Sequence, residues 1–260
     1  MFDGKENKLL LDDTQVDAVD RCCDLKIRIV PVTGAAGTGK TTILQNVFRR
    51  LHKQEHSVVL CAPTGKAAKR ITEATGIPAQ TIHRLLEYPH PGEVDPKTGK
   101  TLLTSDPKKD RRNPIAAKVI LVDEYAMVSV EVHRNLLDAM PPGGVIRMFG
   151  DANQLQPIET NKRLQAEPSS FLKMIEKFDG IRLETIHRQA NDSAIITNGQ
   201  RIIKGECPLR KDDFKLVFSQ SPVDAVISFI MDNLAIDIDF GGTTNQIISP
   251  TKKGWIGTEL

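Results

Sequence analysis

The chain is 260 residues long with a net charge of +2, which allows one large domain or two modest ones and requires any basic surface to be local. Its 40% hydrophobic and 26% charged content is that of an ordinary globular protein, and no apolar run approaches the length of a membrane span. The four cysteines, Cys22, Cys23, Cys61 and Cys207, form no C-x-x-C pair, and the polar stretch Met1 to Lys8 lacks a signal-peptide pattern. Free or buried thiols in a cytoplasmic protein are expected.

Leu9 to Cys23 reads as a short amphipathic helix, with apolar Leu11, Val16 and Val19 and with Asp12 or Asp13 as its cap. Gln15 within it reads equally as a solvated helix residue or as a reader of the adenine edges. The apolar run Ile27 to Val32 predicts a strand, and it opens into Thr33-Gly34-Ala35-Ala36-Gly37-Thr38-Gly39-Lys40-Thr41-Thr42. Gly34, Gly39, Lys40 and Thr41 fit G-x-x-x-x-G-K-[ST], the phosphate-cradling loop. Glycines let the backbone turn its N–H groups towards phosphate oxygens, and the following helix adds partial positive charge. Lys40 can reach terminal phosphates and the Thr41 hydroxyl can ligate Mg²⁺. Residues 34–42 are therefore the expected binding segment for a nucleoside triphosphate, followed by a helix from Thr41 to Leu51.

Ser57 to Ala62 suits a buried parallel strand and ends in Pro63-Thr64-Gly65-Lys66, where a helix to Ala74 begins. Thr64 and Lys66 stand where open α/β sheets hold their ligands, though a capped helix with a solvated lysine explains them equally. Thr81 to Leu86 predicts a short helix, in which His83 alone reads as an ordinary packed or surface histidine. From Tyr88 to Pro114 prolines alternate with Lys97, Lys100, Lys108, Lys109, Arg111 and Arg112. The turn Pro96-Lys97-Thr98-Gly99 predicts a β-hairpin insertion over about 88–114, although charge alone would fit a solvated loop.

Lys118 to Val122 is a buried-strand pattern that runs into Asp123-Glu124. Behind a phosphate loop, this pair fits a magnesium carboxylate, Asp123, and an activator of the attacking water, Glu124. A helix from Val130 to Met140 follows, then a turn and a strand, Val145 to Phe149. That strand ends in Gly150-Asp151-Ala152-Asn153-Gln154-Leu155, a polar set that points towards a nucleotide or forms an Asx-rich turn. Further on, helices are expected at 193–204 and 222–234 and strands at 214–218 and 244–250. These suggest a second domain beginning near residue 180, with too few strands for a sheet of normal width.

The order and spacing of these motifs resemble a superfamily-1 DNA helicase of the RecD-like class, close also to Dda-type phage helicases and the helicase part of conjugative relaxases. The likeness rests on residues 33–42, Ala62-Pro63-Thr64-Gly65-Lys66-Ala67-Ala68, Thr81-Ile82-His83, Asp123-Glu124-Tyr125-Ala126-Met127-Val128, residues 150–157 and His187-Arg188-Gln189. It implies an α/β fold with a P-loop NTPase (RecA-like) parallel sheet, flanking helices and the hairpin insertion over residues 1–180. Residues 181–260 would be an incomplete second RecA-like domain. It implies ATP and Mg²⁺ as cofactors and 5′-to-3′ unwinding of DNA, with single-stranded DNA and its duplex junctions as partners.

By the same resemblance Gln15 reads adenine, and Gly39, Lys40 and Thr41 hold phosphates and Mg²⁺. Asp123 is the magnesium carboxylate and Glu124 the general base. Gln154 contacts the γ-phosphate, and Arg188 reaches from the second domain to stabilise transition-state charge. Pro63, Thr64, Lys66 and His83 fall on the single-strand track, the hairpin is the strand-separating pin, and Thr251 and Lys252 touch DNA backbone. Tyr125 departs from the family, which has small residues there. The family's later motifs have no counterpart, so a partner chain would supply them or the chain would act as a nucleotide- and DNA-binding module without unwinding activity.

Overall fold

The computed structural model describes residues 11–89, 106–157, 159, 162–165, 167–185, 193–211 and 213–233. They fall into two compact units, divided between Asn191 and Asp192.

The first unit begins with α1 (Asp13–Cys23), whose N-terminus is closed by a reciprocal cap. The Asp12 carboxylate accepts the Gln15 N–H, and the Gln15 amide oxygen accepts the Asp12 N–H, satisfying two donors that a bare helix end would leave unpaired. The chain then alternates: β1 (Ile29–Gly34), α2 (Lys40–Lys53), β2 (Val58–Ala62), α3 (Gly65–Thr75), β3 (Ala79–Thr81) and α4 (Ile82–Leu85). After the insertion come β4 (Val119–Val122), a 3-10 turn (Tyr125–Met127), α5 (Val130–Asp138) and β5 (Val145–Gly150). Short α6 (Lys162–Gln165), α7 (Ser170–Lys177) and β6 (Ile181–Leu183) complete the unit.

The six strands form one parallel sheet in the order β3-β2-β4-β5-β1-β6. Parallel pairing demands crossovers, and these cover both faces with helices, so the strands are apolar on both sides. β4 shows the consequence: Val119 and Leu121 enter the core under α1, α2 and α3, while Ile120 and Val122 enter a second core with α4, α5 and α7. Pro31 is tolerated inside β1 because β6 pairs only from Val32 onward, so no ladder bond is lost. The expected P-loop NTPase architecture is thus present. The first unit, however, does not stop at residue 180. β6 pairs with β1 and carries the unit to Asn191, because the β1 flank beyond Pro31 needs a partner.

One buried charge lies inside this apolar frame. Arg147, in β5, is fully buried, and its guanidinium donates to the carbonyl oxygens of Cys22 (2.6 Å), Asp24 (2.9 Å), Ile27 (2.9 Å), Arg28 (3.4 Å) and Ile146 (3.1 Å). It thereby satisfies the carbonyls at the end of α1 and fastens the link from α1 to β1. Burial lowers its pKa, with Cys22, Cys23 and Asp24 opposing that shift.

The two flanks of the insertion are tied together: the Lys109 N–H donates to the Leu86 carbonyl at 3.1 Å, and Lys108 N–H to that of Glu87 at 3.3 Å. The expected hairpin lies mostly on 90–105, outside the described residues. The second unit contains α8 (Ala194–Ile203) and α9 (Pro222–Asn233). Buried Asn198 exchanges two 2.7 Å bonds with the backbone of Leu209. The strand expected at 214–218 does not form. A single antiparallel bridge joins Lys211 and Phe214, and Val217 and Phe218 are exposed. All four cysteines are free. Among the described residues no helix is long and apolar enough to cross a membrane.

If Arg147 is the clamp, Arg147→Met orphans several buried carbonyls and should lower unfolding free energy by about 3 kcal/mol. Chemical denaturation measures this; an unchanged midpoint would remove the clamp from the account.

Candidate nucleotide site and adjoining strand edge

Because every strand runs the same way, the loops following β1, β2, β3, β4 and β5 all leave from one edge of the sheet. Adjacent strands are about 4.8 Å apart, so the phosphate loop after β1 and the carboxylates after β4 stand about 10 Å apart, with the end of β5 between them.

The phosphate loop is closed by its own side chains. Thr38, buried, donates its hydroxyl to the Ala35 carbonyl at 2.9 Å. The Lys40 ammonium donates to the carbonyls of Gly34 (2.6 Å) and Ala35 (2.9 Å). Gly34 has no room for a side chain: a Cβ there would stand 2.5 Å from Thr38 Oγ1 and 2.9 Å from Leu183 Cβ. Gly39 holds a left-handed φ of +85°, and a Cβ on it would collide with the Gln15 amide. Ala36, Gly37 and Thr41 are exposed and Thr42 is half-buried.

Gln15 is buried, which removes the solvated reading. Its Nε2 donates to the Thr38 carbonyl at 3.1 Å while its oxygen serves the α1 cap, so it braces the loop from behind.

Across the edge, Asp123 is 7% exposed and accepts the Glu124 N–H at 2.9 Å. Burial pushes its carboxyl up to about 6, against the opposing effect of that N–H. Glu124 adopts a left-handed φ of +53°, uncommon outside glycine, and its Oε2 is buried with no hydrogen-bond partner among the described residues. Asp151, also buried, accepts the Asn153 N–H at 2.9 Å, and Thr33 Oγ1 accepts the Ala152 N–H at 3.0 Å, locking the ends of β1 and β5 together. Burial lowers the Lys40 pKa, while the carboxylates of Asp151, Asp123 and Glu124 raise it. The ammonium thus lies within electrostatic reach of all three. Gln154 is exposed on the same loop, its N–H donating to the Asp151 carbonyl.

The two strands on the far side, β2 and β3, carry the other candidates. Pro63 is half-buried, while Thr64, Lys66 and His83 are exposed. Thr64 caps α3 by accepting the Ala67 N–H at 3.2 Å, and the His83 ring lies 4.8 Å from that of Tyr88. Arg188, Thr251 and Lys252 lie outside the described residues.

Two supports had weak sequence signals. Tyr125 is fully buried, and its hydroxyl bonds His133 Nδ1 at 2.8 Å; burial lowers the His133 pKa to about 4, so that ring is neutral. Phe171 packs 5.8 Å from Tyr125 and fills the space beside Gly150, where a Cβ would be 2.8 Å from its ring. The Ser169 cap and the spacing of Phe171 and Ile175 were the available signal for α7.

A family model described as an AAA domain matches residues 10–217. The chain belongs to the AAA domain family. Within this AAA domain the superfamily-1, RecD-like resemblance of the motifs holds. The chain is 30% identical to the ATP-dependent RecD2 DNA helicase of Deinococcus radiodurans over 232 residues, 89% of this chain and 29% of that protein. It is 30% identical to the ATP-dependent DNA helicase dda of Enterobacteria phage T4 over 131 residues, 50% of this chain and 28% of that one. It spans under a third of these curated relatives. The Pif1 helicase from Candida albicans superposes with a TM-score of 0.53 at 22% identity, covering 90% of this chain and 50% of that one, and shares the fold.

The raised Asp123 pKa has a stability consequence. Its contribution is fully present below about 3.9, the unfolded value, and is lost as pH rises through about 6, because the folded state then holds a buried carboxylate. Asp123→Asn, which keeps an acceptor for the Glu124 N–H, should therefore stabilise the fold at pH 8 by on the order of 2 kcal/mol and have little effect at pH 4. Thermal unfolding at the two pH values tests the sign.

Proposed function

We propose that this AAA domain is the ATP-binding part of a motor on single-stranded DNA that travels 5′ to 3′ and couples hydrolysis to duplex unwinding. The observation that carries the reading is one sheet edge holding Lys40, Asp123, Glu124 and Asp151 beside Pro63, Thr64, Lys66 and His83. The likeness to the RecD2 and dda helicases supports it.

On this reading Lys40 exchanges its two carbonyl partners for terminal phosphate oxygens, which are stronger acceptors. The loop over 34–42 receives the phosphate chain, and Gln15, which braces that loop through Thr38, is the residue that reads adenine. Mg²⁺ fits the donors present: the Thr41 hydroxyl and the Asp123 carboxylate are hard oxygens, and Glu124, the residue after Asp123, has an unpartnered acceptor in its Oε2. Among the described residues no cluster of three or more His, Cys, Asp or Glu could hold a metal. When bound, the ion neutralises phosphate charge. Glu124 takes the proton of the attacking water, Gln154 contacts the γ-phosphate, and Arg188 stabilises the charge that develops there. Pro63, Thr64, Lys66 and His83 line the strand track, with Thr251 and Lys252 gripping backbone. The stretch over 181–260, apart from the β6 strand paired with β1, is the incomplete second RecA-like domain that carries Arg188, and the relatives' bacterial and phage origin supports action in the cytoplasm.

A second reading, a nucleotide- and DNA-binding module that does not unwind alone, is favoured by the exposed apolar side chains of the second unit: Ile202, Ile203, Phe218, Phe229 and Met231.

With single-stranded DNA present, Lys40→Ala and Glu124→Gln should each reduce ATP turnover by about 100-fold or more. Full turnover in both variants would refute the site assignment. Strand displacement from a 5′-tailed duplex, with none from a 3′-tailed one, supports the motor; tight DNA binding without displacement assigns the module.

A further inference from the structure

We propose that Glu159 is a positioning residue for hydrolysis, tying the loop after β5 to the turn that presents Glu124. The inference rests on the proposed ATPase reading.

Glu159 lies five positions beyond Gln154 and is 8% exposed. Its Oε1 accepts the N–H of Val130 at 2.8 Å. Val130 is the first residue of α5, and Ser129, the cap, accepts the N–H of Val132 at 3.3 Å. The two side chains satisfy two of the otherwise unpaired donors of the first turn, and a carboxylate there also meets the positive end of the helix. The Glu159 carbonyl in turn accepts the Gln165 amide at 2.6 Å.

The far side of this bond leads directly to the candidate base. Between Glu124 and Val130 the backbone makes a 3-10 turn closed by the Met127 N–H to the Glu124 carbonyl (3.1 Å) and the Val128 N–H to that of Tyr125 (3.0 Å). Glu124 itself sits in a left-handed conformation that the surroundings must enforce. Tyr125 anchors one end of this turn through His133 and Phe171, and Glu159 anchors the other through Val130. A shift of the loop carrying Asp151 and Gln154 is thus transmitted towards Glu124 through the part-buried Glu159–Val130 bond and the 3-10 turn.

The bond can be cut from either side. Glu159→Ala removes the acceptor. Val130→Pro removes the donor, and proline suits the first position of a helix; Ser129, at φ −63° and ψ 159°, already has the extended backbone a following proline requires. Glu159→Gln keeps a neutral acceptor. Single-turnover and steady-state ATP hydrolysis with single-stranded DNA would be measured for wild type, Lys40→Ala, these three variants and the Ala–Pro double variant, with amide exchange at Val130 in wild type and Glu159→Ala.

The expected result is a fall in kcat of about tenfold for Glu159→Ala and for Val130→Pro, with KM for ATP changed by less than about twofold. Glu159→Gln restores most of kcat, the double variant is no worse than either single, and Val130 exchange accelerates in Glu159→Ala. Unchanged kcat in Glu159→Ala or in Val130→Pro overturns the role, as do additive losses in the double variant, a loss in Glu159→Gln equal to that in Glu159→Ala, or unchanged Val130 exchange. Wild-type chain without Lys40-dependent turnover overturns the ATPase reading and this role with it; Lys40-dependent turnover indifferent to Glu159 overturns the role alone.

Discussion

The parallel alignment of all six strands is the constraint on which the rest of the first unit depends. A parallel sheet cannot be closed by hairpins, so each connection crosses a face and brings a helix with it. Helices on both faces leave no wet side, and β4 is therefore buried at each of its four residues. Polar chemistry begins only where the ladder ends. Asp123 is the first residue past β4, Asp151 the first past β5, and Ala35 the first past β1. The site is the common exit of strands whose interiors admit almost nothing polar.

The exception inside the sheet shows how narrow that tolerance is. Arg147 has no carboxylate partner; its charge is spread over five carbonyl oxygens, four of them from the end of α1 and the link into β1. A helix end leaves its last carbonyls unpaired, and a buried one needs donors. The guanidinium offers five N–H donors in a fixed fork, against three on a lysine ammonium. The same α1 carries Gln15 at its other end, where the amide braces Thr38. Strand interior and phosphate loop are thus joined through one short helix, anchored at one end by a cation and at the other by an amide.

What was legible in the sequence follows from the same constraint. Strands buried on both faces write continuous apolar runs, so β1, β2, β4 and β5 could be read, and the motifs at their ends with them. β3 and β6, three residues each, carry too little pattern to stand out. β6 is held by its register with β1 and by the absence of a side chain on Gly34, neither of which its own residues encode. Phe214 to Phe218 misleads in the opposite direction: it is apolar enough for a strand, but a ladder needs a partner, and only Phe214 makes a bridge. Gln15 could not be resolved from sequence because its burial is decided by the loop it touches, 23 residues away. Glu159 gave no signal at all; a lone glutamate two positions after Pro157 looks like surface until its bond to Val130 is seen.

The electrostatics of the edge bear on how a triphosphate could enter. Burial drives Lys40 and Asp123 in opposite directions, each towards its neutral form, and each is held back by the other's charge. They are unequally matched. Three carboxylates, Asp123, Glu124 and Asp151, face the Lys40 ammonium, with the Arg70 guanidinium as a weaker opposing charge on Asp123, so a bare polyanion would meet more repulsion than attraction close to the carboxylates. The helix N-terminus and the Lys40 ammonium offset this only on the β1 side of the edge. A cation between phosphate and carboxylates reverses the balance, with Asp123 as its carboxylate ligand. On the proposed reading the nucleotide and its metal ion therefore bind as one species, and the acidic excess that composition alone hides beneath a net charge of +2 is what selects that species.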